Sequence, residues 1–104
     1  MPGVDFEILR TEITMREVLD QLGFVASRRF GSQLRGPCPI HHSTSRRSRS
    51  FSVNLDTARF YCHKCHRWGN QLELWVAVHD LTIYEVAVDL CGALGREVPW
   101  LRRW

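Results

Sequence analysis

Four side chains near the middle of the sequence have the types and spacing of a metal centre. Cys38-x-x-His41 is followed by twenty residues and then by Cys62-x-x-Cys65. Zinc takes thiolate sulfur and imidazole nitrogen in a tetrahedron, with Zn–S of about 2.3 Å and Zn–N of about 2.0–2.1 Å. Two residues three apart on a tight turn can both face one ion, and two such turns complete the set. Gly36, Pro37 and Pro39 suit a stiff first turn. Four protein ligands leave no open position, so the pattern predicts one structural Zn2+ and no catalytic metal. A redox pair at Cys62 and Cys65 would need a strand–helix context within a βαβ pattern, whereas here a second ligand pair lies upstream.

Other potential ligands surround the four. His42 follows His41 and could in principle replace it, but a turn that aims residue 38 at the metal presents residue 41 by the same geometry. His63 and His66 read as exposed loop side chains, and His79 as packing beside a helix. Cys91 lies among apolar residues and reads as a small core residue.

The elements that must position these ligands can be read around them. The 104 residues allow a single domain, 1–104, with a modest core that gains from a metal staple. Residues 1–12 show little pattern and read as an extended lead-in. A capping box of Thr14 and Glu17, with Ile13 and Val18 at the staple positions, starts a helix over 14–22 that Gly23 ends. Sheet and metal site should occupy 24–68. Phe24 to Arg35 reads as two short strands about a Gly31-Ser32 turn. Residues 43–50 have no apolar side chain and read as an exposed loop. Phe51 to Leu55 alternates apolar and polar, and Arg59 to Cys62 returns as its partner strand. Capping boxes at Asn70–Glu73 and Thr82–Glu85 start helices over 70–79 and 82–91, the latter ending near Gly92, before a tail over 96–104. The fold class expected is α+β, a small zinc-ribbon-like antiparallel sheet flanked by helices.

Charge is distributed unevenly. Residues 1–26 carry two Arg against five acids, residues 27–67 nine basic residues against Asp56 alone, and residues 68–104 three Arg against five acids. A basic middle between acidic flanks suits a polyanion such as nucleic acid. Single strands are held by cations on phosphates and by aromatic rings under bases. The candidate contacts are Arg28, Arg29, Arg35, Arg46, Arg47, Arg49, Arg59, Tyr61, Lys64, Arg67 and Trp68. Arg59 and Tyr61 should share one face of their strand, with Phe60 in the core on the other. No apolar run approaches the roughly 20 residues of a membrane span. The first residues lack the basic start and apolar stretch of a secretory signal, so a cytoplasmic location is expected.

From Gly36 to Trp75 the chain resembles the N-terminal zinc-binding domain, a Cys-His-Cys-Cys zinc finger, of bacterial and phage DNA primases of the DnaG type. The pieces that carry the resemblance are Cys38-Pro39-Ile40-His41, Ser50-Phe51-Ser52-Val53, Phe60-Tyr61-Cys62-His63-Lys64-Cys65 and Gly69-Asn70. It departs from that family in the Ser-Arg run at 43–50 and in His66-Arg67-Trp68 after the last cysteine. The resemblance implies a module that binds single-stranded DNA, or RNA, in replication, primer synthesis or a mobile element. A primase, helicase or transposase would be the protein partner, and no small-molecule substrate is expected. Asp56, Asp80 and Asp89 are scattered and form none of the paired carboxylates that phosphoryl transfer requires, so the chain is not expected to be an enzyme on its own. The alternative is a protein-interaction module that docks to a replication or transposition enzyme through its acidic helices and its Trp100–Trp104 tail.

Overall fold

The computed structural model describes residues 3–41 and 50–101. Three of its helices start where the local capping chemistry places them. α2 (Met15–Gln21) opens on Thr14, whose hydroxyl accepts from the Glu17 backbone N–H at 3.2 Å while the Glu17 carboxylate accepts from the Thr14 N–H at 3.1 Å. α3 (Gln71–His79) and α4 (Ile83–Leu94) repeat this reciprocal box from Asn70 with Glu73 and from Thr82 with Glu85. Each box satisfies two of the amide groups that a helix start leaves without intrahelical partners.

Two helical features differ from expectation. Residues 6–12 are not extended but form α1 (Phe6–Glu12), capped by Asp5, whose carboxylate accepts from the Ile8 N–H. Its seven residues are too few to be stable alone. Leu9 and the following Ile13 hold it by burial in the core. α4 does not end near Gly92 but continues to Leu94, where Gly95 takes a left-handed conformation at φ 68° and closes the helix. Gly92 lowers helix propensity there without preventing helical backbone.

The sheet is a five-stranded antiparallel meander in the order β1-β2-β3-β4-β5. β1 (Arg28–Phe30) and β2 (Gln33–Gly36) turn at Gly31, with φ 56°. Phe24 to Ala26, expected within the first strand, precede it, and the Ser27 N–H donates to Arg35 O at 2.8 Å just before β1 begins. β3 (Phe51–Asn54) and β4 (Arg59–Cys62) form the expected hairpin. A short β5 (Trp68–Gly69), not foreseen, pairs with β4. Gly69 has φ 153°, and a Cβ there would lie 2.8 Å from that of Glu73, so the capping box of α3 leaves room only for glycine.

Alternation along the strands decides which side is buried. Leu34, Val53 and Phe60 form one row on the inner face, where they join Leu9, Ile13 and Val18 from the N-terminal helices and Leu72, Leu74, Val86 and Leu90 from α3 and α4. Each large apolar side chain so buried stabilises the fold by about 1.5–3 kcal/mol relative to exposure. Gln71 is the one polar residue in this core among those described, and its amide donates to the carbonyls of Arg10 at 2.9 Å and Ile13 at 2.7 Å. It thereby ties the start of α3 to the end of α1. Trp75 donates its indole N–H to Asp89 at 2.7 Å, joining α3 to α4. The chain after α4 returns to the lead-in: Asp5 N–H donates to Pro99 O and Leu101 N–H to Gly3 O, both at 2.7 Å. No described helix is long and apolar enough to cross a membrane.

Candidate metal centre and nucleic-acid face

The ends of two strands and two tight turns bring four donor side chains together. Cys38 follows β2 after Pro37, and His41 lies on the turn beyond it. Cys62 is the last residue of β4, and the turn that follows is closed by the His66 N–H donating to Cys62 O and the Cys62 N–H donating to Arg67 O, each at 2.9 Å. That turn delivers Cys65, whose own N–H donates to the Cys62 sulfur at 3.4 Å.

The donor atoms of Cys38, His41, Cys62 and Cys65 all lie within 4.8 Å of one another. The Cys38 and Cys65 sulfurs are 4.0 Å apart, and Cys62 Sγ is 3.8 Å from His41 Nδ1. A zinc tetrahedron with sulfur and nitrogen donors has edges of about 3.5–3.8 Å. Cys38 and Cys62 are buried, and Cys65 and His41 half-buried. The His41 Nε2 is buried with no hydrogen-bond partner among the described residues. The ring is thus withdrawn from water, with its Nδ1 on the side of the Cys62 sulfur.

Electrostatics point the same way. Burial pushes the Cys38 thiol up to about 12, and the neighbouring Cys62 sulfur adds to the rise. Burial also opposes ionisation of Cys62, but N–H donors from Cys65 and Lys64 outweigh it and hold this thiol below its ordinary value. Cys62 thus ionises more readily than an ordinary thiol, and Cys38 needs a cation beside it. A divalent ion supplies that charge and deprotonates coordinating thiols outright. The donor set, three sulfurs and one nitrogen with no vacant place, is that of one structural zinc. His63 and His66 lie outside it, as expected: both are exposed, and His66 Nδ1 is 3.3 Å from the Tyr61 hydroxyl.

The same hairpins expose a second constellation. Direct cross-strand partners in an antiparallel sheet point to the same face. Arg28 pairs with Arg35, Arg35 with Ser52, Ser52 with Tyr61 and Tyr61 with Trp68, so one row runs through all five strands on the outer face. Four steps of about 4.8 Å make it roughly 19 Å long. The neighbouring row is Phe30, Gln33, Asn54 and Arg59. Trp68 is 66% exposed and Phe30 56%, so two large rings stand in water.

Of the expected contact residues, Arg28, Arg35, Arg59, Tyr61 and Trp68 therefore share this face. Lys64 and Arg67 are exposed on the knuckle between β4 and β5. Arg29 departs from the group: it pairs with Leu34 on the inner-face row, and its Nε donates to Gly31 O at 3.0 Å. Arg46, Arg47 and Arg49 lie outside the described residues. Phe30 was missed by sequence reasoning. Its signal was the alternation of Arg28-Arg29-Phe30, which puts Phe30 beside Arg28, and the Arg28 guanidinium lies 4.9 Å from the centre of its ring.

The CHC2 zinc finger, the zinc ribbon of DnaG, matches residues 2–103 of the chain. This chain belongs to the CHC2 zinc-finger family. No curated protein matches it. Among solved structures, the CHC2 chain is similar to the crystal structure of the Aquifex aeolicus primase comprising its zinc-binding and RNA polymerase domains. The TM-score is 0.70 and the identity 25%, over 92% of this chain and 23% of that one. The α+β fold with its antiparallel ribbon is thus that of a primase zinc-binding domain, and the CHC2 quartet is Cys38, His41, Cys62 and Cys65.

Proposed function

We propose that this CHC2 domain binds single-stranded nucleic acid along the outer face of its sheet. The observation that carries the reading is the row Arg28, Arg35, Ser52, Tyr61 and Trp68, which places cations at one end and aromatic rings at the other. Phosphates meet Arg28, Arg35 and Arg59, and bases stack on Tyr61, Trp68 and Phe30. The zinc holds the knuckle that fixes Tyr61 against Trp68 and takes no part in chemistry. Lys64 and Arg67 on that knuckle, with Arg46, Arg47 and Arg49, add salt-dependent affinity of low sequence selectivity.

The chain spans 23% of the Aquifex primase it matches, a protein described by its zinc-binding and RNA polymerase domains. The role that fits is template binding in primer synthesis beside a polymerase domain. The scattered placing of Asp56, Asp80 and Asp89 supports a reading in which polymerisation belongs to a separate domain.

The test is fluorescence anisotropy of labelled single-stranded DNA with zinc-loaded protein at two salt concentrations, with an RNA strand of the same sequence in parallel. Binding that weakens with salt and is weakened in Trp68→Ala supports the reading. Absence of binding to either strand at low salt would overturn it.

A further inference from the structure

α4 carries a feature that its own fold does not use. Gly92 lies inside this 12-residue helix and is exposed. Glycine there is less favourable than alanine, yet apart from its chain neighbours and the backbone of its own helix no described atom comes within 4 Å of the point a Cβ would occupy. Its φ is not in the left-handed range that would call for glycine. The missing side chain therefore serves no contact within the described structure.

Val88 and Tyr84, one and two turns earlier, are 46% and 41% exposed. Residues four apart lie one above the other on a helix, so Tyr84, Val88 and Gly92 make one stripe. The inner side of α4 is already satisfied by Val86, Ala87, Leu90 and Cys91, all buried. The exposed ring of Trp100 extends the stripe, its centre 6.2 Å from that of Tyr84. A cavity of ≈ 380 Å³ opens beside it between Leu81 and Val88. α4 thus has a second apolar face, with a gap at Gly92 into which the ridge of another helix can settle.

Charge selects the occupant. Glu85 and Asp89 edge the stripe and help line the cavity; each accepts a neutral N–H within the fold, from Thr82 and from the Trp75 indole, and keeps its negative charge, and α4 has no Lys or Arg. Arg96, just beyond, is engaged with Glu17 at 3.1 Å. A second copy docked symmetrically through the same stripe would bring a second Glu85 and Asp89 against the first. A helix with lysine or arginine beside an apolar ridge would complement both features. We propose that Tyr84, Val88 and Gly92 are the docking stripe for a basic-edged apolar helix of another protein. α4 packs on α3, which packs on the sheet, so this stripe is distinct from the outer sheet face and its use does not depend on nucleic-acid binding there.

The test uses the full zinc-loaded chain and a labelled synthetic helix with leucine at i, i+3, i+4 and i+7 and lysine elsewhere. A scrambled peptide of the same composition and a version with glutamate for lysine serve as comparisons. The amphipathic lysine helix should bind about tenfold or more tightly than either, and Gly92→Leu or Val88→Asp should weaken it about tenfold or more. Trp68→Ala on the sheet should leave it unchanged. Gly92→Leu adds a side chain in open space, and circular dichroism of it and of Gly92→Ala checks that the fold is kept. Equal binding of the scrambled peptide, no binding at all, or indifference to Gly92→Leu would overturn the proposal. A dimer in sedimentation that Gly92→Leu dissociates would overturn it in favour of a second copy.

Discussion

Tyr61 and Trp68 are direct cross-strand partners on β4 and β5, both directed away from the core. The Tyr61 ring is further braced by the edge of His63, with ring centres 4.8 Å apart. The Tyr61 ring, braced in this way, stands beside the more exposed Trp68 ring, and the two side chains offer neighbouring surfaces for stacking. Stacking of a base on an aromatic side chain is worth about 1–3 kcal/mol by alanine substitution. Trp68→Ala and Tyr61→Ala should each weaken single-strand binding by about that amount, and Phe60→Ala, a core change, should instead unfold the domain. Anisotropy titrations together with thermal melts separate the two effects.

Arg28 and Arg29 are adjacent in sequence and opposite in placement. Arg28 stands on the outer face with Arg35, and Arg29 on the inner-face row with Leu34. Each phosphate contact contributes about −0.7 to the slope of log K against log salt for a single strand. Arg28→Ala and Arg59→Ala should each make the slope shallower by about that much, whereas Arg29→Ala should leave it unchanged. Titrations across salt concentrations read the slopes directly.

Zinc removal should cost the fold and not only the knuckle, because Cys38 and Cys62 belong to the same buried cluster as Phe51 and Phe60. Comparable zinc sites contribute about 10–16 kcal/mol of apparent folding free energy. Chelation, or Cys62→Ser, should abolish cooperative melting. Burial holds the metal-free Cys38 thiol at about 12, so zinc must displace its proton at neutral pH. Apparent zinc affinity should therefore rise with pH, and calorimetry in buffers of different ionisation enthalpy should detect the released protons.

The caps of α2 and α4 predict an acid dependence of their own. The Thr14 backbone N–H holds Glu17 below its ordinary value, and Arg96 assists. The Thr82 backbone N–H does the same for Glu85. A carboxyl with a depressed folded-state value contributes stability that is complete above its unfolded value of 4.5 and is lost as pH falls through the folded one. The difference in melting temperature between wild type and Glu17→Gln should thus be largest near neutrality and shrink in acid. Thr14→Ala should cost about 0.5–2 kcal/mol at neutral pH. Melting curves across the acid range check both.

What could be read from the residues alone was the local chemistry. Thr14 with Glu17, Asn70 with Glu73 and Thr82 with Glu85 carry their helix starts within four residues, and the Cys-x-x-His and Cys-x-x-Cys turns carry the metal quartet within two short segments. What could not be read depends on distant partners. α1 has a lone Asp5 cap, with Ile8 where a capping box would need Glu or Gln, and it exists because Leu9 finds a core built from later elements. β5 is two residues long and is defined by β4 rather than by its own pattern. Arg29 was placed with its basic neighbours by composition, and only the register of β1 on β2 turns it to the other side.

The strand-like return of residues 99–101 onto residues 3–5 has a consequence for how such a domain can be carried. Leu101 N–H reaches Gly3 O, and Val4 bridges Trp100. The path into the fold and the path out of it therefore lie side by side. A unit whose entry and exit coincide can be spliced into a surface loop of an unrelated host without pulling either partner out of shape. It can equally be swung as a whole on a pair of adjacent tethers, and its ends could be joined and new ones opened elsewhere with little effect on the interior.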